Sequence, residues 1–184
     1  MSGKNKPLLL VVDDDQYAVS GIINKMRDLG CEIYFALTLD QAITFLEKYG
    51  DSIDIAVLDI MIPNGEFFTA FETKGGFHTG LALGRYISDH WPNISLVAFS
   101  VLAREDEVQK YFGKNNLGAV RKGEEDKLIK LVAKKLNISI PINFSAKDVM
   151  SKGCLVISGI AALIAIVGFF TGITTIYELI KPLF

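Results

Sequence analysis

Residues 8–15 read LLLVVDDD: five apolar residues, Leu8–Val12, stop abruptly at three carboxylates, Asp13, Asp14 and Asp15. The same step from oily to functional side chains recurs three times. Ile53–Leu58 ends in Asp59, Ile94–Phe99 in Ser100, and Ala119–Arg121 in Lys122. Short apolar runs between helical patterns read as parallel strands buried on both faces. In an open α/β sheet, ligands bind just outside the carboxyl ends of the strands. Residues far apart in sequence are therefore expected to converge on one crevice. Clustered carboxylates repel and call for a cation, and Mg²⁺ takes oxygen ligands from one or two carboxylates plus phosphate oxygens. A nearby lysine pairs with a phosphoryl oxygen. The set fits acyl-phosphate chemistry on an aspartate.

Outward from Leu8 the pattern alternates strand and helix five times. Helices are expected over Gln16–Leu29, stopped by Gly30, and over Asp40–Tyr49, ended by Gly50. Further helices are expected over Gly80–Trp91, halted by Pro92, over Arg104–Gly113 and over Glu125–Leu136. The last carries lysines in its final turns, where the helix dipole favours them. Glu32–Ala36 supplies the second strand. This alternation implies a five-stranded parallel sheet, doubly wound with helices on both faces.

Composition narrows the function. The chain has 184 residues, enough for one domain with a real core and something extra. A formal net charge of −2 with no dominant basic stripe argues against a nucleic-acid partner. Cys31 and Cys154 lie in unlike contexts, so a disulfide framework is not expected and a reducing compartment is the default. Met1–Lys6 is polar and runs into the first strand, without the pattern of a secretory signal peptide.

Two stretches stand outside the alternation. Residues 63–79 make a connection longer than most, with Gly65, Gly75, Gly76, four phenylalanines (Phe67, Phe68, Phe71, Phe77) and His78. Such a segment beside a site is a lid or a contact surface, or its rings fold back on the domain. The second stretch follows a linker over 137–153. Cys154–Tyr177 runs 24 residues without a charge. At about 1.5 Å per residue this is ample for a hydrocarbon core of about 30 Å, so a single membrane span with a short tail over 178–184 is expected. Lys147 and Lys152 precede the span and only Lys181 follows it, which places the N-terminal side in the cytoplasm. Gly168 and Gly172 form G-x-x-x-G, a small-residue face suited to a homodimer through the span.

The motifs together resemble a response-regulator receiver domain of two-component signalling, over about residues 7–136. The matching pieces are LLLVVDDD in the first strand, VLDIMIP at 57–63, VAFS at 97–100 and VRK at 120–122. The resemblance implies a flavodoxin-like sheet of order 2-1-3-4-5, as in CheY. It implies that Asp59 is the phosphoacceptor and that Asp13 and Asp14 hold Mg²⁺ together with Asp59 and the backbone carbonyl of Met61. Ser100 then follows the phosphoryl group as the switch hydroxyl, Lys122 pairs with it, and Pro63 matches the proline four residues after the acceptor. The implied partner is a histidine kinase or phosphotransfer protein. The domain is then a signalling phosphoacceptor rather than a turnover enzyme. Four features depart from the family pattern. Gly123 replaces a proline, Ala119 an aromatic residue and Val101 a smaller residue, and the 63–79 segment is an insertion.

Two other readings compete. Asp13 and Asp15 form a D-x-D resembling a haloacid-dehalogenase-type phosphatase, in which Ser100 and Lys122 would stabilise the phosphoryl group. That reading leaves Asp59 without a role, and it lacks an acidic metal pair after Lys122, because Glu124–Asp126 reads as a helix start. Asp15 itself reads as a residue of the first helix start. The second alternative is a pseudo-receiver that binds partners without being phosphorylated and acts through its membrane segment. His78 and His90 are isolated in sequence and read as surface or structural residues, with no zinc spacing.

Overall fold

A computed structural model describes residues 6–141. Within it, β1 (Leu8–Val12), β2 (Glu32–Ala36), β3 (Ile55–Leu58), β4 (Ser95–Phe99) and β5 (Gly118–Val120) form one sheet of order β2-β1-β3-β4-β5, every pair parallel. Between and after them run α1 (Gln16–Asp28), α2 (Leu39–Tyr49), α3 (Thr79–His90), α4 (Asp106–Asn115) and α5 (Glu125–Leu136). The expected α/β architecture and strand order are those observed. The part of the 137–153 linker beyond residue 141, the span over 154–177 and the 178–184 tail lie outside the described residues. Among the described residues no helix is long and apolar enough to cross a membrane.

The core forms two layers because side chains alternate across each strand. Leu10, Val12, Ala56, Leu58, Leu96 and Ala98 face one side, packed with Leu46 of α2, Leu83 and Ile87 of α3 and Phe112 of α4. Leu9, Val11, Ile55, Val57, Val97 and Phe99 face the other, packed with Ile22 and Met26 of α1 and Leu128 and Val132 of α5. Cys31, a buried free thiol, belongs to this second layer.

Element ends differ from the sequence expectation where a local bond intervenes. β3 begins at Ile55, not Ile53, because a tight turn at Gly50–Ser52 comes first and the Ile53 N–H donates to the Gly50 carbonyl. α4 begins at Asp106, not Arg104, because residues after Ser100 are spent on turns: the Ala103 N–H donates to the Ser100 carbonyl and the Glu105 N–H to that of Leu102. α4 then continues through Gly113 to Asn115. β5 is displaced by one residue, entering at Gly118 with φ +115° and pairing last at Phe99 with Val120.

Candidate functional site

The sheet delivers the expected residues to one edge. Asp13 follows β1, and its N–H donates to the Ala36 carbonyl of β2. Asp59 follows β3, and its N–H donates to the Val12 carbonyl of β1. These two backbone bonds extend the parallel ladder by one residue on each strand, which holds both aspartates in register. Carboxylate oxygens of Asp13, Asp14 and Asp59 lie within 4.8 Å of one another. Asp13 and Asp59 are buried, while Asp14 is exposed and opens the cluster to solvent.

Lys122 closes the site from β5. Its Nζ stands 2.6 Å from Asp59 Oδ2 and 2.9 Å from Asp13 Oδ2. The other Asp59 oxygen, Oδ1, accepts the Met61 N–H at 3.2 Å. Burial pushes the Asp13 carboxyl above its ordinary value of 3.8, and the charge of Asp59 adds to the rise; the bonds from Lys122 and the Asp15 N–H oppose it without cancelling it. Burial alone would pull Lys122 down, but its bonds to Asp59 and Asp13 outweigh burial and hold the ammonium above its ordinary 10.5. The ammonium group is therefore charged and shared between two acids.

Ser100 is fully buried at the end of β4, and its Oγ accepts the Leu102 N–H at 3.2 Å. Its backbone ties β4 to β5, since the Ser100 N–H donates to the Val120 carbonyl and the Lys122 N–H to the Ser100 carbonyl. Val101, next in line, is 55% exposed. The donor set is chemically suited to Mg²⁺: hard carboxylate oxygens from three residues, two of them inside and one facing water.

Asp15 is occupied elsewhere. It caps α1, its side chain accepting the N–H groups of Tyr17 and Ala18, as its place at a helix start predicts. A D-x-D acid/base pair is thus not what this strand end presents.

Two further contributors complete the site: Gly80, which carried no sequence signal, and the 63–79 insertion, which the sequence marked as a lid, a contact surface or rings folded back on the domain. A Cβ placed on Gly80 would stand 1.8 Å from the Asp59 carbonyl oxygen and 2.8 Å from Ile60 Cα. Only glycine lets α3 start against the Asp59 backbone, where the Gly80 N–H donates to the Ile60 carbonyl at 3.0 Å. The second is the 63–79 insertion, whose Gly75, Gly76 and Phe77 face Asp14, Met61, Pro63 and Asn64 across a cleft of about 370 Å³. A larger cleft of about 1040 Å³, near the start of β4 and lined by residues such as Arg85, Lys110 and Tyr111, contains none of Asp13, Asp14 and Asp59.

No family model matches the chain, and no curated protein matches it either. Solved structures do. A response-regulator receiver domain protein from Clostridium thermocellum aligns over 71% of this chain and 94% of its own, with a TM-score of 0.56 at 17% identity. A response regulator from Thermotoga maritima aligns over 72% and 98%, with a TM-score of 0.55 at 21% identity. CheY in the CheX-CheY-BeF3-Mg complex from Borrelia burgdorferi aligns over 70% and 87%, with a TM-score of 0.53 at 21% identity. At these identities the likeness is one of fold, and it spans the α/β unit whose strand ends carry the acidic cluster. The described domain of this chain has the receiver-domain fold of response regulators.

Proposed function

We propose that the domain is a phosphoacceptor and that Asp59 is the residue phosphorylated. The observation that carries this is the arrangement of Asp59 itself: buried, in register with Asp13, and paired through one oxygen with the Lys122 ammonium. A carboxylate so held is a positioned nucleophile. An Asp59 oxygen attacks phosphorus, the bond to the donor's imidazole nitrogen breaks, and its electron pair returns to that ring, leaving an acyl phosphate. Lys122 moves from the carboxylate to a phosphoryl oxygen, and the Ser100 hydroxyl exchanges its Leu102 N–H contact for another. Asp13, Asp14, Asp59 and the Met61 carbonyl would hold Mg²⁺, which when bound neutralises charge on the phosphoryl oxygens. The donor is a histidine kinase or phosphotransfer protein. Phosphorylation serves as a signal, not as turnover.

The sequence beyond the described residues supports a membrane tether over 154–177 with the domain in the cytoplasm, and G-x-x-x-G supports pairing of two spans. Output then passes through partners or the tether. The phosphoacceptor reading is tested by incubating the full-length protein with phosphoramidate and Mg²⁺ and weighing it intact. One phosphoryl group is expected on the wild type and none on Asp59→Asn. An unmodified wild type, or equal modification of both, rejects the reading. The tether is tested by carbonate washing of membranes, where release of the full-length protein rejects a span.

A further inference from the structure

The 63–79 insertion is not a slack loop. Thr73 at its centre is fully buried, and its carbonyl accepts the N–H groups of Gly76 and His78. Thr69 and Glu72 cap each other reciprocally, the Thr69 N–H donating to Glu72 Oε2 and the Glu72 N–H to Thr69 Oγ1. The segment is thus a built element with its own internal bonds.

Its final stretch is fastened on two sides, to the Asp59 backbone and to the start of α4. Gly80, just beyond it, abuts the Asp59 backbone. On the other side His78, 7% exposed, places Nε2 2.9 Å from Glu105 Oε2, while its Nδ1 lies 3.5 Å from Glu107 Oε2. Nδ1 makes no hydrogen bond and is sealed from solvent. Lys74 pairs with the same Glu107, as does Arg85 at 2.9 Å. Lys74, Gly75 and Gly76 take φ of +49°, +71° and +96°. A lysine in the left-handed region is held against its preference, and the side chain so held is one that grips α4.

Glu105 stands immediately before α4, at the end of the turns that start from Ser100. The first contact in that connection is the Leu102 N–H on Ser100 Oγ. If the side chain turns to donate its O–H to a phosphoryl group on Asp59, Oγ swings off the Leu102 N–H. Residues 101–105 run directly from that contact to the carboxylate that holds His78.

We propose that the insertion is a phosphorylation-responsive strap, latched to α4 by His78–Glu105 and Lys74–Glu107 and released when Ser100 turns to the phosphoryl group. This rests on the phosphoacceptor reading of Asp59. Release moves Gly75–Phe77, one wall of the cleft beside Asp14, and with it Phe71 and Phe77, which are 92% and 63% exposed. The unpartnered Nδ1 marks the latch as an imperfect contact, suited to opening. The coupling is reciprocal, since a ligand that opens the latch must bind more tightly once the latch is broken.

The test uses the full-length protein with beryllofluoride and Mg²⁺, an acyl-phosphate mimic. Binding is read by the fluorine resonance of the bound group, and the strap by amide hydrogen exchange across 66–79. In the wild type, beryllofluoride should speed exchange there by about fivefold or more. In Glu105→Ala, whose lost side chain makes no capping bond in α4, exchange should already be fast and beryllofluoride should add little. Half-saturation should then fall by about fivefold. Glu105→Gln, which keeps an acceptor for an Nε2–H, should stay close to the wild type. A bound fluorine signal with unchanged exchange in the wild type overturns the strap alone. So does a Glu105→Ala protein that keeps the wild-type ratio and affinity. Absence of a bound signal in the wild type overturns the phosphoacceptor reading, and the strap with it.

Discussion

Lys122 Nζ stands 2.6 Å from Asp59 Oδ2, joining residues 63 apart in sequence at the top of the sheet. The same nitrogen reaches Asp13, so a single ammonium group balances two buried carboxylates. Without it they face each other uncompensated in a low-dielectric crevice, and removing one partner of a buried pair typically costs about 3–5 kcal/mol. Lys122→Met should therefore destabilise the protein strongly in the absence of Mg²⁺. Mg²⁺ should restore more of the variant's melting temperature than it adds to the wild type, because the cation takes over the balancing charge. Thermal unfolding with and without Mg²⁺ checks this. Equal Mg²⁺ responses in the two proteins would show that the cation and Lys122 do not share the same carboxylates.

Gly80 and Gly113 make a contrasting pair. At Gly80 a methyl group would overlap the Asp59 carbonyl oxygen at 1.8 Å, so α3 or the end of β3 must move. Gly80→Ala should cost about 1–3 kcal/mol of stability and slow phosphorylation by phosphoramidate. At Gly113, inside α4, a Cβ meets nothing within 4 Å. Gly113→Ala should stabilise by about 0.5–1 kcal/mol through helix propensity alone, with phosphorylation unchanged. Urea unfolding of both variants reads the two signs. A stabilised Gly80→Ala with normal phosphorylation would remove the close approach of α3 to Asp59.

Most of the sheet was legible because burial on both faces leaves an unmistakable apolar run, and each run stopped at the residue that enters the site. Asp13, Asp59 and Lys122 could be placed by that rule alone, and Asp15 was recognisable as a helix-start residue. The edges were less legible. β5 is three residues long and opens on a glycine at positive φ, so its apolar pattern slid by one. α4 begins two residues late because turns after Ser100 consume them. Gly80 looked like any glycine at a helix start, since its close approach depends on where β3 happens to end. His78 read as a surface or structural residue and is buried, but Glu105 and Glu107 lie more than twenty residues away. No periodicity in a loop can announce such partners.

Val101 stands beside Ser100 with 55% of its surface exposed, at a strand end that faces the acidic cluster. On the phosphoacceptor reading, its branched side chain stands where the receiver pattern has a smaller residue that leaves room for the phosphodonor. Val101→Ala should therefore take up phosphate from phosphoramidate faster than the wild type, with melting temperature nearly unchanged because so exposed a side chain contributes little packing. A stopped time course of intact mass decides it. Indistinguishable rates would mean that access is limited elsewhere, with Phe77 of the insertion as the next position to truncate.

The latch residues give the fold an acid-sensitive contact. Hydrogen bonding from Lys74, aided by Arg85 and by the charges of Lys74 and His78, holds the Glu107 carboxyl below its ordinary value of 4.5 despite an opposing contribution from burial. A carboxyl depressed in the folded state stabilises the protein at every pH above its unfolded value, and that contribution fades as pH falls through the folded one. Stability from Glu107 is thus full above about pH 5 and lost progressively below its ordinary value of 4.5. Asp13 works in the opposite sense. Its raised carboxyl means that the folded state binds a proton more readily than the unfolded chain, so acid relieves part of its burial cost. The two can be separated by site. Glu107→Gln should lose little further stability between pH 6 and pH 3 through this contact, so its melting temperature should fall less steeply than the wild type's. Salt should flatten the wild-type curve toward the variant, because Glu107, Lys74 and Arg85 are all partly open to solvent. Parallel curves for wild type and Glu107→Gln would show that the Lys74–Glu107 pair contributes nothing to the folded state in solution.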